Sequence, residues 1–446
     1  MLDGNRLWDD LLIHAGFGDK AAGGAGDHAT ASWIAGELSK VGYQLETIPV
    51  PVPTFRSRRC ELVGQGSSVE VYPQSVVFPT PDHGVEGRLA IVHSLSDAQR
   101  AAGCIAVILL PYGRHAAIWT SVVGPLLEAV TKADALAAII LPFGPTGEIV
   151  GLNSYADRPF VPLPLAIGRP LDLPCYAAMA SAGQPVRLYL SGDVETGDSP
   201  TLVARMARGD RWIVLSTPRS GFFTCSVERG TGTAGFLEIA RWLPRAFPAH
   251  SLFLMNSGAH ELRFAGTHAA LDLAPAPDKT DVWAHFGAGL ASRARTEIRG
   301  GRMLDVADFN RICMVTPALR EAAGAAFAGL PGLDDPQHVL SEAGELSTIV
   351  QKGYKKAFAC LGVNWSCHTR LDLPTEPTRA GDRSASSLDR GLCSRQVIEY
   401  SIFSLDVLSG YPVRSRRLHP AEPKMEEYLR RARRGPNYST VTKTKS

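Results

Sequence analysis

From about residue 195 onward the chain alternates short apolar runs with longer amphipathic ones, and this alternation constrains the fold more than any other feature. "TLVARMA", "DRWIVLSTPRSG", "HSLFLMNSG" and "TDVWAHFGAG" read as strands, whereas "GTGTAGFLEIARWLPRAF" places its apolar residues at helical spacing. Strands that are apolar on consecutive residues are buried on both faces, which requires a largely parallel sheet with helices above and below. The expected fold class is therefore α/β: a mixed, mainly parallel sheet sandwiched by helices. No internal repeat interrupts the pattern.

Upstream, "DHATASWIAGELSKVGY" (27–43) reads as a helix with an Asp at its start and a Gly near its end, and "QLETIPVPVP" as a strand broken by prolines. Between 59 and 192 the texture changes to short runs such as "GRLAIVHS", "CIAVILLPYG", "ALAAIILPFG" and "PVRLYLSGD", separated by Gly/Pro turns. That is a compact β-rich module set into the α/β pattern, so residues 1–58 and 193–446 form one expected domain and 59–192 an insert. A net charge of +2 over 446 residues leaves no electrostatic footprint for nucleic acid. Only the end, "YLRRARRGPNYSTVTKTKS" (428–446), is basic, and it reads as a solvated helix end and frayed tail. The eight cysteines show no CxxC, which excludes a zinc ribbon or dense disulfide framework. The N-terminus carries acids where a signal peptide would be apolar, and no run reaches membrane-spanning length. The expectation is a reduced, cytoplasmic protein with helix faces compatible with a homodimer.

"NSGAHELRFAGTH" (256–268) puts a His-Glu pair at the end of an apolar strand, where open α/β sheets place their chemistry. A zinc-protease helix needs a second histidine one turn on, but position 264 is Phe and the next histidine is His268. Two readings remain for the dipeptide: a reactive pair, or a packed histidine beside a helix-capping Glu.

The order of parts is an N-terminal helix, an inserted module, "GFLEIARWL", a strand ending in His260-Glu261 with "GT" after it, and late in the chain "NWSCHTRLDLP". In this order and spacing the chain resembles the M28 zinc aminopeptidases that carry an inserted protease-associated domain, here at 59–192. The resemblance implies their α/β fold and a metal site that this sequence only partly keeps. Thr217 and Arg219 stand where the family has its first His and its Asp, and neither is a zinc ligand. Glu228, ten residues before Glu238, stands at the bridging Asp, His260-Glu261 at the Glu-Glu pair, His285 at a later Asp, and His368 at the final His.

What the resemblance implies is a single zinc held by Glu228, Glu261 and His368, with water in the fourth position. His260 then serves as general base, with His285 as a second catalytic candidate. Arg219 and Arg229 are expected to meet a substrate carboxylate, with Thr217 and Glu345 lining the same pocket. Cys225 and Cys367 lie near the site loops without a Cys-His pairing, and "GTG" at 230–232 lacks the rest of a phosphate loop. The leading expectation is a metal-dependent hydrolase cleaving an amide bond in a small molecule or short peptide. The alternatives are a catalytically inactive ligand- or partner-binding relative, and a metal-independent enzyme using His260, His285 and His368 as acid–base groups.

Overall fold

The computed structural model describes residues 3–64, 66–295, 303–330, 332–339, 344–362 and 364–374. The basic end at 428–446 and Cys393 lie outside these residues. The first helix, α1 (Gly4–Gly16), begins at Asp3, whose carboxylate accepts the Asn5 and Arg6 amides. Helix α2 (Ala25–Val41) stops at Gly42, where φ is 99°, a left-handed conformation that glycine takes without steric cost. "QLETIPVPVP" divides into two strands: β1 (Gln44–Ile48), and the start of β2 (Pro51–Gly64).

Strand β2 opens a closed seven-stranded barrel. Its other members are β3 (Ser67–Pro73), β4 (Val85–Val92), β5 (Cys104–Leu110), β6 (Ala137–Pro142), β7 (Leu165–Gly168) and β8 (Val186–Asp198). Strands β4 to β7 pair in parallel, which explains why "CIAVILL" and "AAIILP" are apolar without alternation. Helices α3 (Gly124–Lys132) and α4 (Leu173–Ala182) belong to the same segment. The barrel reaches beyond 59–192 at both ends, because β2 and β8 pair along Pro51–Val63 and Arg187–Asp198.

The remaining strands are β9 (Thr201–Met206), β10 (Trp212–Pro218), β11 (Ser251–Ser257), β12 (Thr280–Phe286), β13 (Arg293–Arg295), β14 (Met303–Ala307), β15 (Arg311–Val315), β16 (Gln337–His338) and β17 (Ala357–Gly362). Strands β13 and β14 form a two-stranded ribbon. The others join β1 in an eight-stranded sheet of order β1-β9-β11-β10-β12-β17-β15-β16. The central four, β11-β10-β12-β17, are parallel, whereas β1, β9 and β11 pair antiparallel, as do β15 and β17. The fold is thus a mixed α/β sheet with helices on both faces, as expected, together with a closed barrel.

Four further helices follow: α5 (Thr231–Ala246), α6 (Ala265–Ala270), α7 (Arg320–Ala326) and α8 (Glu345–Gln351). Side chains alternate across β10, so the sheet has two cores. Leu215 packs with Ile34, Leu38, Phe236 and Leu243, whereas Val214 packs with Phe253, Trp283, Leu346 and Ile349. Burying side chains of this size contributes about 1.5–3 kcal/mol each. Glu238 of α5 accepts hydrogen bonds from the Asp3 amide and the Arg6 guanidinium, tying α1 to α5. Glu345, at the head of α8, is buried.

Candidate functional site

The site grows from the carboxyl ends of β10, β11 and β12. Parallel register sets Ser216 beside His285, and both are buried. Trp283, two residues before His285 and therefore on the same face, donates its indole N–H to Ser216 Oγ at 2.7 Å. The same hydroxyl oxygen lies 2.8 Å from His285 Nδ1, within hydrogen-bond distance. His285 Nε2 faces Glu345 Oε2 at 3.7 Å. Burial pushes His285 down to about 4, so its ring is neutral near pH 7.

Glu345 also joins His260. Its Oε1 lies 2.9 Å from His260 Nδ1, and Ser257 Oγ donates to both carboxylate oxygens at 3.0 and 3.1 Å. Burial would raise the Glu345 carboxyl, but these hydrogen bonds and the histidine and Arg229 charges more than offset that and hold it at about 2. Burial and the Arg229 charge keep His260 below the usual imidazole range. The result is a carboxylate–imidazole dyad with a neutral ring donating from Nδ1. The ring's hydrogen bond among the described residues is through Nδ1, and this side chain is 12% exposed.

A second cluster sits on a π-helical turn, Ser226–Gly230, that leads into α5; such turns recur at functional sites. Glu228 accepts the His368 amide at 3.0 Å on Oε2, while Oε1 faces His368 Nε2 at 3.1 Å and Arg229 Nη2 at 2.7 Å. Burial opposes ionisation of Glu228, but the Arg229 charge and His368 more than compensate and hold its carboxyl well below the usual range. Arg229 also donates from Nε to the Ser220 carbonyl, while its Nη1 is buried with no hydrogen-bond partner among the described residues. Asp372 accepts the Val227 and Glu228 amides, and burial with the Glu228 charge raises it to about 8.

Glu261 points elsewhere. It accepts the Ser220 hydroxyl at 2.6 Å and the Ala22 amide at 2.7 Å, and burial raises it to about 7. The barrel closes over this region. Gly151 donates to the His368 carbonyl and accepts from His368 Nδ1, and the Ser154 amide donates to the Glu261 carbonyl.

The expected metal set is therefore only partly assembled. Glu228 and His368 touch, but Glu261 is engaged with Ser220 and Ala22, and the Arg229 guanidinium already neutralises Glu228. Among the described residues no group of three or more His, Cys, Asp and Glu side chains could hold a metal ion. Thr217, expected in the pocket, donates its hydroxyl to the Phe286 carbonyl. These residues do not fit the zinc that the expected triad was to hold. Arg219 does not await a substrate carboxylate either. It is wholly buried, 2.8 Å from Asp27, and hydrogen-bonded to Asn256 and the Pro200 carbonyl. Arg229 is half committed to Glu228.

Burial pushes the Cys225 and Cys367 thiols far up, which removes thiolate chemistry from both. Sequence reasoning missed Ser216, Ser220, Ser257 and Asp372, whose roles come from register and loop contacts. Backbone strain marks the same place. Six of the eight non-glycine residues with positive φ among the described residues are Phe223, Cys225, Ala259, Arg263, Phe264 and His368. Each left-handed residue costs about 1–2 kcal/mol, and such strain gathers at sites that use it.

Three solved structures share this architecture. A peptidase M28 precursor from Shewanella amazonensis aligns with a TM-score of 0.67 at 16% identity, over 94% of this chain and 95% of its own. A zinc aminopeptidase from Bacillus subtilis aligns at 0.66 and 14%, over 91% and 95%. An aminopeptidase from an Aneurinibacillus species aligns at 0.61 and 14%, over 91% and 94%. No protein-family model and no curated protein matches the sequence. At such identities the likeness concerns the fold: the chain carries an M28-like zinc-aminopeptidase fold.

Proposed function

We propose that this protein is a metal-independent amide hydrolase built on the M28-like scaffold, acting on a small molecule or short peptide. The observation that carries the reading is the His260–Glu345 dyad: Nδ1 is held at 2.9 Å by a buried carboxylate and Nε2 is left open. A base held in one tautomer by a carboxylate contributes about 10²–10⁴-fold. His260 Nε2 takes a proton from water as the water oxygen bonds to the substrate carbonyl carbon. The C–N bond of the tetrahedral intermediate then breaks, and the imidazolium returns the proton to the leaving nitrogen. We assign the developing oxyanion to Arg229 Nη1, a buried guanidinium donor without a hydrogen-bond partner among the described residues. His285, locked by Ser216 and facing Glu345, positions that carboxylate. We read the barrel as the protease-associated-like insert, its support being the contact of Gly151 and Ser154 with His368 and Glu261.

The competing reading is a ligand-binding relative without turnover, favoured by the near-complete burial of Glu228, Arg229 and Glu345. Turnover of a panel of aminoacyl amides and acylated amines, assayed in excess chelator beside elemental analysis, separates the two. Activity that survives chelation and falls at least a hundredfold in His260→Ala supports the hydrolase. Stoichiometric zinc with chelator-sensitive activity, or turnover unchanged in His260→Ala, overturns it.

A further inference from the structure

Where the barrel meets the sheet body, a cavity of about 740 Å³ opens. This volume suits a small molecule, for which pockets of roughly 300–1,000 Å³ are usual. Neither His260 nor Glu345 lines it. Tyr72, Val76, Phe222 and Leu262 supply apolar wall. Its charged lining is lopsided: Asp19, Glu70, Glu195 and Glu261 against one cation, Arg370. That cation is already held by both oxygens of Glu70, at 2.7 and 2.9 Å, and Glu195 is paired with Arg56 at 3.1 Å. Asp19 and Glu261 remain without an ion-pair partner among the described residues.

Glu261 is the informative one. It is 2% exposed, and both of its hydrogen bonds come from neutral donors, the Ser220 hydroxyl and the Ala22 amide. A carboxylate offers about four acceptor positions, so this group can take a further donor. A buried carboxylate with no cation is costly, and a cationic ligand group would relieve that cost. The contact is also short-wired to the dyad residue, since the Ser220 oxygen that donates to Glu261 accepts the His260 amide at 2.9 Å.

We propose that this cavity is a binding site for a small amphiphilic amine, separate from the dyad. Its ammonium group meets Glu261 and Asp19, and its apolar body packs against Phe222, Tyr72, Val76 and Leu262. The proposal does not depend on the hydrolytic reading, because binding is measured without turnover. The test is isothermal titration calorimetry of the full chain with three probes of one shape: phenethylamine, 2-phenylethanol and 3-phenylpropionate. The amine should bind saturably, the alcohol at least about tenfold more weakly, and the carboxylate not at all. Glu261→Gln should weaken the amine at least about tenfold, and Asp19→Asn by a smaller factor. Should Glu261→Gln fail to fold, the exposed Asp19→Asn variant decides alone. No saturable amine binding, an alcohol that binds as well as the amine, or amine affinity unchanged in Asp19→Asn would each overturn the assignment.

Discussion

Replacing Arg229 by Met tests the idea that an internal guanidinium stands in for a metal. Glu228 and Arg229 are 0% and 1% exposed, and Oε1 lies 2.7 Å from Nη2. At an effective dielectric of about 20, two charges at that distance attract by about 6 kcal/mol. Desolvation of both groups cancels much of this in the intact pair, but the variant keeps the penalty on Glu228 and loses the attraction. Breaking a buried pair by removing one partner costs about 3–5 kcal/mol. Unfolding entropy of about 2.1 cal/mol/K per residue gives roughly 0.9 kcal/mol/K for a chain of this length, so Tm should fall by about 3–5 °C.

The pH dependence has a fixed sign. The folded Glu228 carboxyl is held below its unfolded value, so the pair's contribution is present above about pH 4.5 and is lost as pH falls further. The gap between wild type and variant should therefore close only in acid. Removing the guanidinium also leaves Glu228 and His368 facing a vacated space. Zinc at a hundredfold excess over its dissociation constant should then restore about 2.7 kcal/mol to the variant and nothing to the wild type. Urea unfolding followed by tryptophan fluorescence and circular dichroism, with and without zinc, reads both effects. A variant as stable as wild type, or wild type stabilised by zinc to the same extent, would refute the reasoning.

Three other expectations can be checked directly. Gly151→Ala would set a new methyl group 2.3 Å from the Phe222 ring, so the barrel loop over His368 must shift. We expect a loss of about 1–3 kcal/mol in chemical denaturation, and an unchanged midpoint would contradict the packing. Glu345→Gln should lower turnover by about 10²–10⁴-fold, and in the His260→Ala background it should cost almost nothing more, because the two act as one unit. Additive losses in that cycle would separate them. Glu261 and Asp372 are raised to about 7 and about 8, so the folded state holds two protons that the unfolded chain has released. These two groups should accordingly make stability fall as pH rises from about 4.5 to about 8 and level off above, in urea midpoints across that range. Asp372→Asn should flatten much of this decline, and a slope identical to wild type would count against a neutral Asp372.

The sheet was legible in the sequence because burial writes itself into periodicity. "WIVLSTP", "SLFLMNS" and "TDVWAHF" are strands buried from both sides, with only Trp212, Thr280 and Asp281 at their starts partly exposed. Their ends, and hence the neighbourhood of His260 and His285, followed from the same pattern. The partners of those residues did not. His260 meets a carboxylate 85 positions away, and Arg219 meets Asp27 at a separation of 192, distances set by strand order and loop closure that leave no local trace. Asp27 was legible as a helix-start acid but not as the counter-ion of a buried arginine.

The expected zinc ligands are not brought together among the described residues, for a more instructive reason. Matching Glu228, Glu261 and His368 by residue type treats each as a donor waiting for a cation. A carboxylate with no exposure cannot wait: it must be paired or hydrogen-bonded in the folded chain, or stay protonated. Each acid here found a different solution. Glu228 took the charge of Arg229, its own neighbour, which a regular helix would splay about 100° away and which the π-helical turn keeps within 2.7 Å. Glu261 took two neutral donors and a raised proton affinity. The adjacent Glu-Arg at the mouth of α5 was therefore the discriminating signal. An arginine beside a ligand-type carboxylate at the entry to a helix supplies a charge that neutralises that carboxylate within the fold.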